Sequence, residues 1–181
     1  TKRPAYMGSE PSEDLDAVPK DVTWTTLCPT GEYLDFLSKI THEVCQKFDV
    51  ADGIFYDICF IKDACACPNC TKGMIEEGLD PENYADARKY YIQKHVEMMK
   101  VLTGIVHEYS PDAPVFYNGG ADMNRTEYHP YQTHYELEDL PTAWGGYDDK
   151  ARRPEDAGHR YRHRYHCPDG RTTPYRIKEM L

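Results

Sequence analysis

The sequence predicts an α/β fold, a partial (β/α)8 barrel of about three to four βα units, and three observations carry that prediction. Short apolar runs alternate with stretches of helical period, and the runs end on polar or acidic residues. Alternation of this kind builds a parallel sheet with helices on its faces. The third observation is length. A full eight-unit barrel takes about 250 residues, and this chain has 181.

The chain divides into three parts. Residues 1–21 are rich in Pro, Ser, Asp and Glu without a period, and are expected to form an extended connection. Residues 22–149 carry the barrel pattern. Residues 150–181 lose it and run into His159-Arg160-Tyr161-Arg162-His163-Arg164, a basic tail expected to be disordered or atypical.

Within the middle part, Val22 to Leu27 alternates weakly and reads as a strand ending at Cys28-Pro29. Thr30 or Gly31 then opens a helix whose apolar positions, Tyr33, Leu37, Ile40, Val44 and Phe48, recur at helical spacing. Ile54 to Tyr56 is a buried parallel strand that ends on Asp57. A loop carrying Cys65, Cys67 and Cys70 follows. Asp80-Pro81-Glu82 has the capping acid and early proline of a helix start, and the helix runs to about Tyr109. Its apolar face holds Tyr91, Met98, Leu102, Ile105 and Tyr109, widened by Ile92, Met99 and Val106. Ala113 to Tyr117 is the next strand, ending at Asn118-Gly119-Gly120, and Thr133 to Leu137 is a further strand candidate.

Composition narrows the function. Thirty-one acidic against 21 basic residues give a formal charge of −10, which argues against a partner that presents a phosphate backbone. No apolar run approaches the roughly 20 residues of a membrane span, and no basic-then-apolar leader opens the chain. The expectation is a soluble cytoplasmic protein without nucleic-acid or membrane partners. Neither glycine pair has the spacing of a phosphate loop, and no Gly-x-Ser-x-Gly elbow is present. Fifteen tyrosines and two tryptophans supply flat rings with polar edges, suited to the faces of sugars.

Seven cysteines are an odd number, and three of them fall within six positions, a spacing that suits a shared metal better than a disulfide framework. Tetrahedral zinc wants four thiolate or imidazole ligands, so a fourth must come from elsewhere. Cys28, Cys59, His42 and His107 are the candidates. Cys28 is preferred, on the reasoning that it ends a strand lying parallel to the one that precedes the cysteine loop. A zinc with four protein ligands keeps no site for water and is structural.

Acids at strand ends suggest glycosidic chemistry, which commonly needs two carboxyl groups on opposite sides of the scissile bond. Asp57, Glu136, Glu138 and Asp139 are available, and alternation puts Glu136 and Glu138 on one face. Asn118 can hydrogen-bond a sugar hydroxyl, Trp144 can stack on a ring beside Tyr147, and His134 can touch substrate or support Glu136.

Taken together in their order, Trp24 to Phe48, Asp52-Gly53-Ile54-Phe55-Tyr56-Asp57, Cys65-x-Cys67-Pro68-x-Cys70, Phe116-Tyr117-Asn118-Gly119-Gly120, His134 to Pro141 and Trp144 to Tyr147 resemble the barrel of glycosidases related to α-L-fucosidases. Those proteins often carry a β-galactosidase-type trimerisation domain. The cysteine pattern is also similar to the β-galactosidases of glycoside hydrolase family 42, in which an early Cys-Pro segment and a later cysteine loop share a zinc. That similarity implies Cys28, Cys65, Cys67 and Cys70 as the ligands of a structural Zn2+.

The resemblance further implies a retaining exo-glycosidase acting on oligosaccharides, with Asp57 as nucleophile and Glu136 as acid/base, and a homo-oligomer. The family 42 enzymes carry Asn-Glu where this chain has Tyr56-Asp57, so Asp57 follows the fucosidase pattern instead. A β-galactosidase-like enzyme and an inactive carbohydrate-binding remnant are the alternatives.

Overall fold

A computed structural model describes residues 4–8, 13–18, 22–57, 59, 64–118 and 126–134. The periodic stretches form helices where their apolar residues require them. α1 spans Glu32–Lys47, opened by Gly31 at φ 77° and closed at Phe48. Only glycine adopts that φ without strain. A Cβ there would also stand 2.6 Å from the Asn69 side chain. α1 buries Thr41 and Cys45 and packs Tyr33, Leu34, Leu37 and Val44 against the core. The expected stripe is therefore turned slightly: Ile40 is 39% and Phe48 66% exposed.

β3 (Ile54–Tyr56) and β4 (Val115–Tyr117) pair in parallel, with Tyr56 opposite Tyr117. The segment between them contains α2 (Pro68–Glu76) and α3 (Tyr84–Tyr109). Two parallel strands joined through helices are α/β architecture, and they are the parallel sheet of the described residues. Gly53 leads into β3 at φ 100°, where a Cβ would meet the Pro114 carbonyl oxygen at 2.4 Å. This close approach lets the Ile54 amide donate to Pro114 at 2.8 Å and sets the register.

β2 (Val22–Thr25) corrects the expectation of a parallel strand. It pairs antiparallel with β1 (Tyr6–Gly8), which lies inside the segment read as an extended connection. The two form a sheet separate from β3–β4. Thr26 ties this pair to α3, since its hydroxyl lies 3.0 Å from the Ala5 carbonyl and 3.1 Å from the Tyr91 hydroxyl.

Two further differences concern helix ends. α3 starts at Tyr84, with the Asn83 side chain accepting from the amides of Ala85 and Asp86, while Asp80 closes a local turn by accepting from the Glu82 amide. An Asx turn and an N-cap use the same acceptor chemistry, so the acid three residues upstream looked like the cap. The cysteine loop, for its part, turns into α2, with Pro68 as its first residue.

α3 threads two packing clusters. Its first turns contribute Ala87, Tyr90 and Tyr91 to a cluster with Ala5, Leu15, Ala64, Cys65, Ala66, Cys70 and Met74. Its later turns contribute Met98, Met99, Leu102 and Val106 to a second, with Cys45, Val50, Ala113, Val115, Tyr117 and Tyr128. Tyr109, expected on this face, is 40% exposed and instead accepts from Gln46 of α1 at 3.1 Å.

Candidate functional site

Two constellations stand out, one in each cluster. The first is sulfur. The Sγ atoms of Cys28, Cys65, Cys67 and Cys70 all lie within 4.8 Å of one another. Cys28 is 3.3 Å from Cys70 and 3.7 Å from Cys67. A tetrahedron built on metal–sulfur bonds of about 2.3 Å has edges of roughly 3.8 Å. The cluster has the size of a metal-binding tetrahedron, and the four residues could hold a metal ion.

Local structure explains how they meet. Cys67 caps α2 and Cys70 lies in its first turn, so one helix start directs both sulfurs to the same side. Cys65 precedes them, fully buried among Ala64, Ala66 and Met74. Cys28 arrives from the end of the antiparallel β1–β2 pair rather than from a parallel neighbour of β3. Cys28 does meet the other three sulfurs, through an antiparallel strand end instead of a parallel one.

The protonation of the four thiols fits their crowding. Hydrogen bonding, first from Cys65, lowers Cys28 to about 7. Hydrogen bonding from Cys28 drives Cys67 far down, and the same contacts push Cys65 and Cys70 far up. Four sulfurs this close cannot all be charged without a cation among them, so protons are shared between two acceptors and two donors. A soft divalent ion would take the place of those protons.

The second constellation lies at the carboxyl edge of β3–β4. Ile54, Tyr56, Val115 and Tyr117 belong to the cluster with α1 and α3. By alternation, Phe55, Asp57, Phe116 and Asn118 belong to the opposite face. The rings of Phe55 and Phe116 stack there at 5.0 Å between centroids, and Phe55 is 44% exposed. Asp57 follows β3 and is exposed. Asn118, only 5% exposed, follows β4, and its amide donates to the Tyr56 carbonyl at 2.8 Å. Asp57 and Asn118 thus follow neighbouring parallel strands, at the edge at which α/β sheets bind ligands.

His134 joins this face, its ring edge-on to Phe116 at 6.2 Å, and burial lowers its pKa. Thr133 holds it there. The Thr133 amide donates to the Val115 carbonyl at 2.7 Å, and its hydroxyl accepts from the Val115 amide at 2.8 Å. The chain therefore runs beside β4 where a next strand was expected to begin.

Cys59 sits next to this edge, with its Sγ 3.4 Å from the Asp57 carbonyl oxygen. Burial, helped by the Asp57 charge, pushes its thiol up to about 12. It stays protonated at neutral pH, and like His42 and His107 it is not among the four residues of the sulfur cluster. Glu136, Glu138, Trp144 and Tyr147 lie outside the described residues.

Sequence reasoning missed Thr30, whose hydroxyl is 3.0 Å from Cys28 Sγ. Its place two residues after a ligand cysteine was the available signal.

Among solved structures, the chain is similar to α-L-fucosidase isoenzyme 2 from Paenibacillus thiaminolyticus, at 30% identity and a TM-score of 0.63. The alignment covers 80% of this chain and 22% of that one, so the chain spans about a fifth of its structural neighbour. No protein-family model matches, and no curated protein matches. The likeness supports a fucosidase-related glycosidase fold. Among the described residues, no helix is long and apolar enough to cross a membrane.

Proposed function

We propose that this chain carries part of the active site of a glycoside hydrolase of the α-L-fucosidase type, in which Asp57 is the nucleophile of a retaining mechanism. The observation that carries the reading is Asp57, exposed at the end of β3 beside Asn118 at the end of parallel β4. The likeness to a solved α-L-fucosidase supports it.

In this reading Asp57 attacks the anomeric carbon and forms a glycosyl ester, while a second carboxyl protonates the departing oxygen. Glu136 is assigned that acid/base role. It lies two residues beyond His134 in the sequence, whose ring is edge-on to Phe116 on the Asp57 face. Glu138 is the reserve candidate. Asn118 and His134 hydrogen-bond sugar hydroxyls, and Trp144 and Tyr147 supply the stacking surface. The substrates are oligosaccharides, hydrolysed from their ends. A homo-oligomer, a trimer in the related full-length proteins, belongs to the same reading.

The metal assigned to Cys28, Cys65, Cys67 and Cys70 is zinc. An all-sulfur donor set favours it over hard cations, and four protein ligands leave no position for substrate. Its part is to hold the start of α2 against the end of the β1–β2 pair.

A panel of nitrophenyl glycosides on wild type and Asp57→Ala tests the assignment. The expected result is α-L-fucoside hydrolysis that falls by roughly 10³-fold or more in the variant, with partial recovery by azide, which fits the vacated carboxylate position. Activity that survives the substitution removes Asp57 from the reaction. Sugar binding without hydrolysis by wild type selects the carbohydrate-binding remnant, and preference for β-galactosides selects the galactosidase.

A further inference from the structure

The sulfur cluster has a fifth member that supplies no metal ligand. Thr30 Oγ1 lies 3.0 Å from Cys28 Sγ and 3.8 Å from Cys70 Sγ, so one hydroxyl faces the two sulfurs that are themselves 3.3 Å apart. A divalent ion with four thiolates keeps about two net negative charges. In a half-buried site that excess has to be met by hydrogen-bond donors.

The turn that carries Thr30 is pinned to the turn that carries two of the ligands. Gly31 follows at φ 77°, and a Cβ on it would lie 2.6 Å from Nδ2 of Asn69, the residue between Pro68 and Cys70. The nearest atoms belong to the exposed Asn69 side chain, so the Thr30 turn lies directly against the turn that starts α2. Thr30 is half-buried, and its hydroxyl is placed by its two sulfur contacts.

We infer that Thr30 is a positioning residue of the metal centre: its hydroxyl donates to Cys28 Sγ, and at longer range to Cys70 Sγ, and thereby orients and electronically tunes the ligands. The inference rests on the metal reading above. A hydroxyl that donates to a thiolate withdraws electron density from sulfur, which stabilises the charged cluster and slows release of the ion. Removing it leaves sulfur more electron-rich and easier to protonate.

Cobalt(II) tests this, because its sulfur-to-metal charge-transfer bands report the electron density of the ligands directly. The full chain is loaded with cobalt as wild type, Thr30→Val and Thr30→Ser. Thr30→Val keeps the shape of the side chain without its donor. It is expected to bind cobalt about 10- to 100-fold more weakly and to shift the charge-transfer bands to lower energy, while Thr30→Ser restores both. Far-UV circular dichroism accompanies each variant, and Thr30→Ala replaces Thr30→Val if valine prevents folding. A wild-type spectrum and affinity in the folded donorless variant would overturn the role of Thr30 alone. Failure of wild type to take up cobalt would overturn the metal reading and this inference together.

Discussion

The two packing clusters differ in what holds them. The one around Cys65 sets Ala5, Ala64, Ala66, Ala87 and the sulfurs of Cys65 and Cys70 among Leu15, Met74, Tyr90 and Tyr91. The one around Tyr117 is built from Leu102, Val106, Val115 and two methionines, with the β3–β4 pair at its centre. A buried leucine or valine contributes about 1.5 to 3 kcal/mol, whereas an alanine contributes far less. Both clusters bury large apolar groups, and the first also brings four sulfurs within 4.8 Å of one another. The two clusters also differ in what they hold: four sulfurs in the first, and in the second the β3–β4 pair whose end carries Asp57.

α3 couples the halves, and the contacts at its two ends illustrate the contrast. At the start, Tyr90 lies against α2 so closely that a Cβ on Gly73 would stand 1.9 Å from the tyrosine oxygen. Lys94 reaches Glu77 at 3.2 Å and Glu97 at 3.0 Å. At the far end, the Thr103 hydroxyl lies 2.8 Å from the Tyr117 hydroxyl, which donates to the Met99 carbonyl at 3.0 Å. The first set of contacts is close and polar at the surface, and the second is buried and satisfied.

The contrast is tested most strongly at the metal site proposed for Cys28, Cys65, Cys67 and Cys70. Chelation of the proposed ion is expected to remove on the order of 10 kcal/mol of apparent binding free energy, and Cys70→Ser to weaken its uptake by taking away one of four ligands. Hydrogen exchange should then accelerate across residues 64–91 while residues 98–117 keep part of their protection. Uniform loss in both regions would contradict two separately held halves.

Leu102→Ala is the converse. It empties a fully buried site in the second cluster, with an expected cost of about 2 to 5 kcal/mol in denaturant unfolding. The metal content per chain should not change.

Gly73→Ala sharpens the account of how α2 meets α3. The better helix propensity of alanine offsets only part of the overlap with Tyr90, and a net loss of about 1 to 2 kcal/mol is expected. A thermal melt that rises instead would mean that Tyr90 has room to turn away.

Smallest is Asn83→Ala. Loss of the cap on α3 should cost about 1 kcal/mol, and fraying measured by hydrogen exchange should stay within the first turn.

Some of this was legible in the residues. The bounds of β3 and most of α1 followed from apolar spacing, because a strand ending on Asp57 and a helix with one wet face each obey a single period. α2 was missed although Pro68 marks a helix start, since three cysteines in six positions suggested a loop closed around a metal. A helix start and a convergence of four sulfurs occupy the same segment. β1 was invisible because three residues carry too little pattern to betray a partner about 15 residues away.

Cys28 was reached from the sequence, but through the wrong neighbour: the side-by-side strands that brought it in are β1 and β2, and antiparallel pairing between short strands leaves no periodic trace. Thr30 and the Gly31–Asn69 approach depend on tertiary contact alone. At the sheet edge, Asp57 and Asn118 were both foreseen, because alternation and strand ends are local properties.

The assignment of Asp57 is tested most directly by trapping. A 2-deoxy-2-fluoro fucosyl fluoride slows the second step of a retaining reaction, so the glycosyl ester accumulates and can be found by mass spectrometry of the digested protein. The account predicts one sugar per chain on the peptide that contains Asp57, and none in Asp57→Ala. A label on any other carboxylate, or steady hydrolysis of fucosides without a trapped ester, would contradict it.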